Sequence, residues 1–407
     1  MSDRPTALAG ATHSDTMTSE IASSVRSVPA AEWNALVGPH PYAAHGWLRA
    51  AEEGRVHNLE PHYVLLRDGG RLVGAAPCYV ARHGAPPFAP SHFLYGPARR
   101  ITMRIGCPEP PALVCCPFLS YGGQLLVAPH LTPAVQTQTR RLLLDQVEAL
   151  ARAQRLALWV PRVLAADADT EQLLAEQGCH RTVQPPVAYL PIRWDSFRGY
   201  LESLRSMSRN SASTVRREIN ANRRAGVVIR SLDSPEVGTH ARELQSLGER
   251  HHGRLNASPY PYREEFLPTA RALLGDDLVV YGAFKAGALV GFSVLVRRGA
   301  TGTVSLVGVD HDRTRNDFTY FNLTYYRPIE DAIASGIGQL YFGSAKYLLK
   351  MRRGCRITPV HFYYRGRTPL RHRALAPWFA WHARTTERRF ARFNRVDCPE
   401  TRASIST

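Results

Sequence analysis

Lysine is nearly missing from this 407-residue chain: it occurs only at 285, 346 and 350, although lysine and arginine together number 51. The remaining 48 are arginines, a skew that genomic base composition can produce without any function. Long apolar runs are missing as well, since no uninterrupted stretch approaches the roughly 20 residues that a membrane-spanning helix needs. The first two dozen residues mix Ser, Thr, Asp and Ala without a basic start or an apolar core, so no secretory signal is expected and a cytoplasmic protein is. The seven cysteines (78, 107, 115, 116, 179, 355 and 398) are odd in number and never in a Cys-x-x-Cys spacing. That argues against a zinc site or a disulfide framework and for free thiols. Gly-x-Ser-x-Gly, His-Glu-x-x-His and a phosphate-binding glycine loop are absent too, so hydrolase, metalloprotease and nucleotide-triphosphatase readings lack their minimal parts.

What is present is a globular composition, 44% hydrophobic and 21% charged, in a chain long enough for two domains. The net charge of +17 is large enough to suggest an anionic partner. The excess is clustered. Residues 195–230 hold eight arginines against three acids, and residues 361–395 hold nine against one, so these two windows carry 13 of the 17 charges. A solvated basic surface and a phosphate-rich partner both account for this.

The chain also repeats itself. HYVLLRDGGRLVGAAPCYV (62–80) and VVYGAFKAGALVGFSVLVR (279–297) each set two strand-like runs around a Gly-containing turn, with a shared Leu-Val-Gly at 72–74 and 289–291. After each come a third strand-like run (113–118; 304–309), a helix-period segment (133–153; 318–334) and a short apolar strand (156–160; 339–342). The order β-β-β-α-β occurs twice, which predicts a duplicated α+β (mixed α/β) architecture. Residues 1–24 are expected to be a disordered extension, 25–194 the first domain, 195–225 a connecting basic helix, 226–368 the second domain and 369–407 a basic C-terminal segment. In the connecting helix Leu201, Leu204, Ala212, Val215 and Ile219 recur at helical spacing with Asp195 placed as a cap, while Arg205, Arg209, Arg216 and Arg223 share one face. The C-terminal segment interleaves Trp378, Phe379, Trp381, Phe390 and Phe393 with arginines, which suits stacking on nucleic acid and equally suits a packed terminal helix.

The element order resembles the Gcn5-related N-acetyltransferase (GNAT) fold, and Val279–Pro359 resembles its double-domain Fem-type N-acyltransferases. The likeness rests on FTYFNLTYYRPIEDAI (318–333) and GSAKYLLKMRRGCRITP (343–359), which contains a Lys-x-x-Arg-Gly element at Lys350, Arg353 and Gly354. The resemblance implies two tandem GNAT-like domains, each a twisted, mainly antiparallel sheet flanked by helices, with the second one catalytic. Two departures stand out. The coenzyme A cradle of ordinary members, a glycine-containing turn at a helix N-terminus, corresponds to DHDRTRNDFTY (310–320), which has no glycine. Relatives also place a carboxylate where this chain has Asn322.

Acyl transfer to an amine needs positioning and oxyanion stabilisation rather than a covalent intermediate. On the helix from Phe318, the row Phe321, Tyr325, Ile329 and Ile333 reads as core-facing, and Asn322, Tyr326 and Glu330 read as a more polar row. The candidate catalytic residues are therefore Lys350, Tyr326 and Asn322, with Lys350 singled out as an ammonium where the family pattern expects one. Arg205, Arg209, Arg216, Arg223 and Arg353 are candidates for binding the donor or tRNA. Asp310, Asp312, His251 and His252 could serve as proton acceptors or stand at the surface. The leading reading is transfer of an aminoacyl group from aminoacyl-tRNA to an amine or hydroxylamine of a small molecule or peptide, with no cofactor beyond the co-substrate and no metal. The alternatives are the same fold using acyl-CoA or an acyl carrier protein, and a non-catalytic nucleic-acid-binding module.

Overall fold

The computed structural model describes residues 17–54, 59–82, 110–255 and 260–394. Its first half contains β1 (Met17–Ala22), α1 (Ala30–Leu36), α2 (His45–Glu53), β2 (Leu59–Asp68), β3 (Arg71–Ala81), β4 (Ala112–Cys115), β5 (Leu126–Val127), α3 (Pro133–Ala153), β6 (Ala157–Leu164), α4 (Ala168–Glu176) and β7 (His180–Pro191). Two helices, α5 (Phe197–Met207) and α6 (Arg209–Arg224), lead into the second half. There follow β8 (Val227–Leu232), α7 (Ser234–Thr239), α8 (Ala241–Leu255), α9 (Phe266–Leu274), β9 (Leu278–Lys285), β10 (Ala288–Arg298) and β11 (Thr301–Val309). The remainder is α10 (Thr319–Phe321), a π-helical turn (Asn322–Tyr326), α11 (Arg327–Ala334), β12 (Gln339–Tyr341), α12 (Tyr347–Met351), β13 (Arg356–Arg365) and α13 (Pro369–Asn394).

The repeated hairpins form as the sequence predicts. Asp68 pairs with Arg71 across Gly69 and Gly70, and Lys285 pairs with Ala288 across Ala286 and Gly287. All four loop residues have positive φ, the two-residue turn whose twist matches that of the strands. The shared Leu-Val-Gly has a packing reason. A Cβ on Gly74 would come within 2.9 Å of Thr139 on α3, and one on Gly291 within 3.1 Å of the Gly308 carbonyl and 3.2 Å of Leu323. In each half this glycine lets the following helix lie close on the hairpin.

The two halves do not form separate sheets. The strand order is β1-β2-β3-β4-β6-β13-β7-β12-β11-β10-β9-β8, with β5 beside β3. Each half contributes an antiparallel meander and one parallel pair, β4 with β6 and β11 with β12. The last strand of each half crosses over: β13 lies against β6, β7 lies against β12, and the two pair with each other in the centre. This is a mixed α/β fold of two similarly ordered units whose closing strands are exchanged.

Several expectations need correction. Residues 17–22 belong not to an unfolded extension but to β1, paired with β2 from Met17↔Asp68 to Ala22↔Tyr63; residues 1–16 lie outside the described residues. The connecting helix is two helices. Ser208 is extended (φ −161°, ψ 129°) between them, and Ser196, not Asp195, caps the first by accepting from the Gly199 N–H at 3.1 Å. The apolar spacing runs in phase across the break, from Tyr200 and Leu204 to Ala212 and Val215, so the pattern alone does not reveal it. The C-terminal segment is α13, packed through Phe379, which is buried among Phe362, Tyr364 and the His180 ring. Cys78, Cys115, Cys116, Cys179 and Cys355 are free and buried, whereas Cys107 and Cys398 lie outside the described residues.

Truncating Phe379 to Ala should cost about 3–5 kcal/mol, read as a lower midpoint in urea unfolding with an unchanged m-value. An effect within about 0.5 kcal/mol, the range of ordinary surface substitutions, would mean that α13 does not close the core.

Candidate active site

Helix α6 carries Ala212 and Val215 on its inner face, and the same row continues to Glu218 and Asn222, both buried. Glu218 is the only acid in α6 and is 4% exposed. A buried carboxylate requires a partner, because desolvation otherwise outweighs any gain. The partner is Arg353, just beyond α12 and also 4% exposed, whose Nη2 donates to Glu218 Oε2 at 2.6 Å. Arg353 Nε donates to the Tyr326 hydroxyl at 3.0 Å, Nη1 donates to the Leu349 carbonyl at 3.0 Å, and the Tyr326 hydroxyl donates to the same Oε2 of Glu218. The Phe321 ring covers the guanidinium at 4.2 Å. Burial pushes the Tyr326 pKa far above its usual range, Glu218 adds to that and Arg353 opposes it, so the phenol stays a donor. Burial also works against the Arg353 charge, but Tyr326 and Glu218 outweigh it and hold the guanidinium protonated.

Of this trio, Glu218 and Arg353 border a cleft of about 1030 Å³ between α6 and α12, with Tyr326 buried behind them. Val215, Phe321, Leu349 and Met351 supply apolar wall, Ser211 and Thr214 supply hydroxyls, and Glu218 and Arg353 are the buried charged residues of the lining. Arg217 and Arg352 are exposed lining residues, beside Met207 at 51% and Leu348 at 62% exposure. Both bonds that hold the Glu218 side chain go to Oε2, and no partner holds Oε1 among the described residues. A carboxylate so placed can receive an amine and take its proton.

The candidates chosen from sequence are only partly brought together. Tyr326 and Arg353 meet at Glu218. Asn322, expected to face a cleft with Tyr326, is instead buried like Tyr326, and its Nδ2 donates to the backbone carbonyls of Glu218 (3.2 Å) and Phe318 (3.0 Å). The π-helical turn over Asn322–Tyr326 is the reason: its wider pitch turns Asn322, Tyr325 and Tyr326 all into the interior. Lys350 is 4% exposed and outside the cleft lining; its ammonium donates to the carbonyls of Phe342, Gly343 and Ser344 at 2.7, 2.9 and 3.0 Å. Burial lowers its pKa to about 8. It ties down a loop in which Gly343, Ala345 and Lys346 all have positive φ. Arg205 lies on α5, Arg216 and Arg223 lie on α6, and all three are exposed. Arg209 opens α6, and its side chain lies outside the described residues. Glu330 pairs at the surface with Arg327, at 3.7 Å. Sequence reasoning missed Glu218, although an acid on the apolar row of an otherwise basic helix was a readable signal.

The stretch 310–319 is closed on itself. Asp310 Oδ1 accepts the backbone N–H groups of Asp312 (3.1 Å) and Arg313 (3.2 Å), and Asp317 Oδ1 accepts the N–H and hydroxyl of Thr319 at 3.0 and 2.6 Å. Lys285 binds the other Asp317 oxygen at 3.1 Å and the Arg313 carbonyl at 3.0 Å. Within this stretch the N–H groups of Asp312, Arg313 and Thr319 are held by the chain's own carboxylates, and those of Asp310, Thr314 and Asp317 by backbone carbonyls. Asp312 pairs with Arg254, at 3.3 Å, and Asp310 with Arg250, at 3.4 Å. Next to them the buried His251 bonds His311 across 3.0 Å and stacks on Tyr320, while His252 lies against Tyr260. No group of three or more metal-ligating side chains occurs among the described residues, and no helix there is long and apolar enough to cross a membrane.

A profile of the FemAB-like family, described as peptidoglycan biosynthesis/recognition, matches residues 24–397. None of the curated proteins matches. Among solved structures, the C-terminal domain of a candidate lysylphosphatidylglycerol synthetase from Agrobacterium fabrum superposes with a TM-score of 0.54 at 11% identity, covering 88% of this chain and 96% of that one. FemX superposes with a TM-score of 0.53 at 13% identity, covering 84% and 97%. At these identities the two likenesses concern the fold.

Burial holds the His251 pKa at about 4, with the charges of His311, His252 and Arg254 acting in the same direction, so the ring is neutral in the fold. Its contribution to stability is complete above the ordinary histidine value of 6.5 and is lost as pH falls from there towards 4. In His251→Phe, which keeps a ring on Tyr320, the urea midpoint should fall less steeply between pH 6.5 and 4 than in the wild type. Equal slopes would remove His251 from the acid response.

Proposed function

Because the chain belongs to the FemAB-like family and is an acyltransferase, we propose that it moves an aminoacyl group from aminoacyl-tRNA to an amine or hydroxylamine of a small molecule or peptide. The observation that carries the choice of donor is the 310–319 stretch, which has no glycine and in which Asp310 and Asp317 occupy the N–H groups of Asp312, Arg313 and Thr319, so that these three do not stand open for the pyrophosphate of coenzyme A. A donor gripped along an extended polyanion has no need of that cradle. Exposed arginines beside the cleft (Arg217, Arg352) and on α5 and α6 (Arg205, Arg216, Arg223) suit such a donor. The reaction would run in the cytoplasm, where tRNA is charged, and needs no cofactor.

In this reading the acceptor nitrogen attacks the ester carbonyl in the cleft. A C–N bond forms as the C–O bond to the tRNA ribose breaks, and the amine proton passes through Glu218 to the departing ribose oxygen. Glu218 is the catalytic residue. Arg353 and Tyr326 fix its carboxylate, and Asn322 fixes its backbone carbonyl. Lys350 is a positioning residue, holding the Phe342–Ser344 carbonyls just ahead of α12 and Arg353.

Incubation of the purified protein with a radiolabelled aminoacyl-tRNA pool and a panel of amines should release free tRNA and label an acceptor, whereas an acyl-CoA pool should remain intact. Consumption of acyl-CoA with no loss of aminoacyl-tRNA would replace this reading with the coenzyme A one.

Glu218→Gln keeps the size and one hydrogen bond to Arg353 but cannot take a proton, so kcat should fall by about 10²–10⁴ with KM little changed. An active Glu218→Gln enzyme with wild-type kcat would remove Glu218 from the chemistry.

A further inference from the structure

One face of α13 is spent on packing and the other is bare. Phe379 points into the core, while Leu370, Arg373, Trp381, Arg384 and Arg388, on the opposite side of the helix by their spacing, are all exposed. Trp381 is 54% exposed and its ring lies 5.0 Å from that of Trp378. The only acid of the helix, Glu387, is drawn back to Arg181 on β7 at 2.7 Å. Arg373, Arg384 and Arg388 have no carboxylate partner among the described residues, so the outer row is purely positive. On the packed side of the same helix, near its C-terminal end, the Phe390 ring meets Tyr347, at 5.9 Å, and Tyr347 opens α12, which walls the cleft, so this end of α13 lies near the cleft.

An exposed indole between unpaired guanidinium groups matches a partner that offers both phosphates and flat unpaired faces. A bilayer fits less well, because surface binding by an amphipathic helix requires an apolar face to bury, and that of α13 is already on the sheet. We propose that the outer face of α13 is the docking surface for the RNA of the donor, with Arg373, Arg384 and Arg388 against backbone phosphates and Trp381 stacked on an unpaired base. The proposal rests on the aminoacyl-tRNA reading and adds to it the route by which the tRNA body is held while its charged end enters the cleft.

The test uses the full chain, an uncharged tRNA transcript and fluorescence anisotropy between 50 and 200 mM salt. Three released phosphate contacts should make the log–log salt slope of Arg373→Ala/Arg384→Ala/Arg388→Ala shallower by about 2 to 3, with weaker binding at every salt concentration. Trp381→Ala should weaken binding by about 5- to 100-fold with the slope unchanged, and Trp381→Phe should recover most of it. Thermal unfolding of each variant verifies the fold; should the triple variant be unstable, the charge-neutral Arg384→Gln/Arg388→Gln gives the same reading with a slope change of about 2. Wild-type tRNA binding with unchanged affinity and slope in these variants overturns this proposal and leaves the donor reading standing. No tRNA binding by the wild type, together with acyl-CoA consumption, overturns both. Attachment to phosphatidylglycerol–phosphatidylcholine vesicles that depends on Trp381 and these arginines, with tRNA binding insensitive to them, overturns it in favour of a membrane surface.

Discussion

The exchange of closing strands is the constraint from which the rest of the structure follows. Because β13 lies between β6 and β7, and β7 between β13 and β12, neither half can complete its sheet alone. The central pair is antiparallel, with Arg356 beside Tyr189, so the chain leaves β7 and enters β13 at the same end. The segment leaving β7 becomes α5 and α6, and the segment entering β13 comes from α12 and Arg353. The cleft forms where these two segments meet. Glu218 and Arg353, 135 residues apart, are brought into contact by strand pairing.

Once there, the charges hold the cleft wall in place. Removing one partner of a buried ion pair typically costs about 3–5 kcal/mol, because the survivor is left desolvated and unpaired. The trio is nearly saturated: Arg353 spends its three nitrogens on Glu218, Tyr326 and the Leu349 carbonyl, and its own carbonyl accepts from the Tyr200 hydroxyl at 3.0 Å. The π-helical turn and α12 are thereby joined to α6 through one guanidinium, and α5 is joined to them through the backbone of the same arginine. Lys350 does comparable work on the adjoining loop, where three backbone carbonyls converge on a single ammonium. A planar guanidinium could not occupy that point, which gives a physical reason for lysine at this position in a chain that otherwise uses arginine.

The fold class, the hairpins and their glycines were legible in the sequence because they depend on local patterns. Alternating strands, two-residue turns and the repeated Leu-Val-Gly act over a few residues, and duplication doubled the signal. Residues 17–22 were misread because an edge strand with four exposed residues has too little apolar content to stand out. The break at Ser208 was hidden by an apolar row that stays in phase through it. The π-helical turn was invisible for a related reason: a 3.6-residue period assumes the very pitch that this turn departs from, so Asn322 and Tyr326 were placed on a cleft when they lie inside.

By itself, then, the sequence determined the duplicated β-β-β-α-β order, the two twisted hairpins and a positive charge gathered in two segments. Periodicity, turn chemistry and net charge act over short range or by simple summation, and they survive without knowledge of long-range pairing. Only the tertiary structure decided that the halves share one sheet, that Glu218 is the carboxylate of the cleft, that Lys350 holds a loop, and that Asp310 and Asp317 hold the N–H groups of Asp312, Arg313 and Thr319. Each of these depends on which buried polar groups find partners, and a buried charge selects its partner by distance in space, which strand exchange sets and spacing along the chain does not.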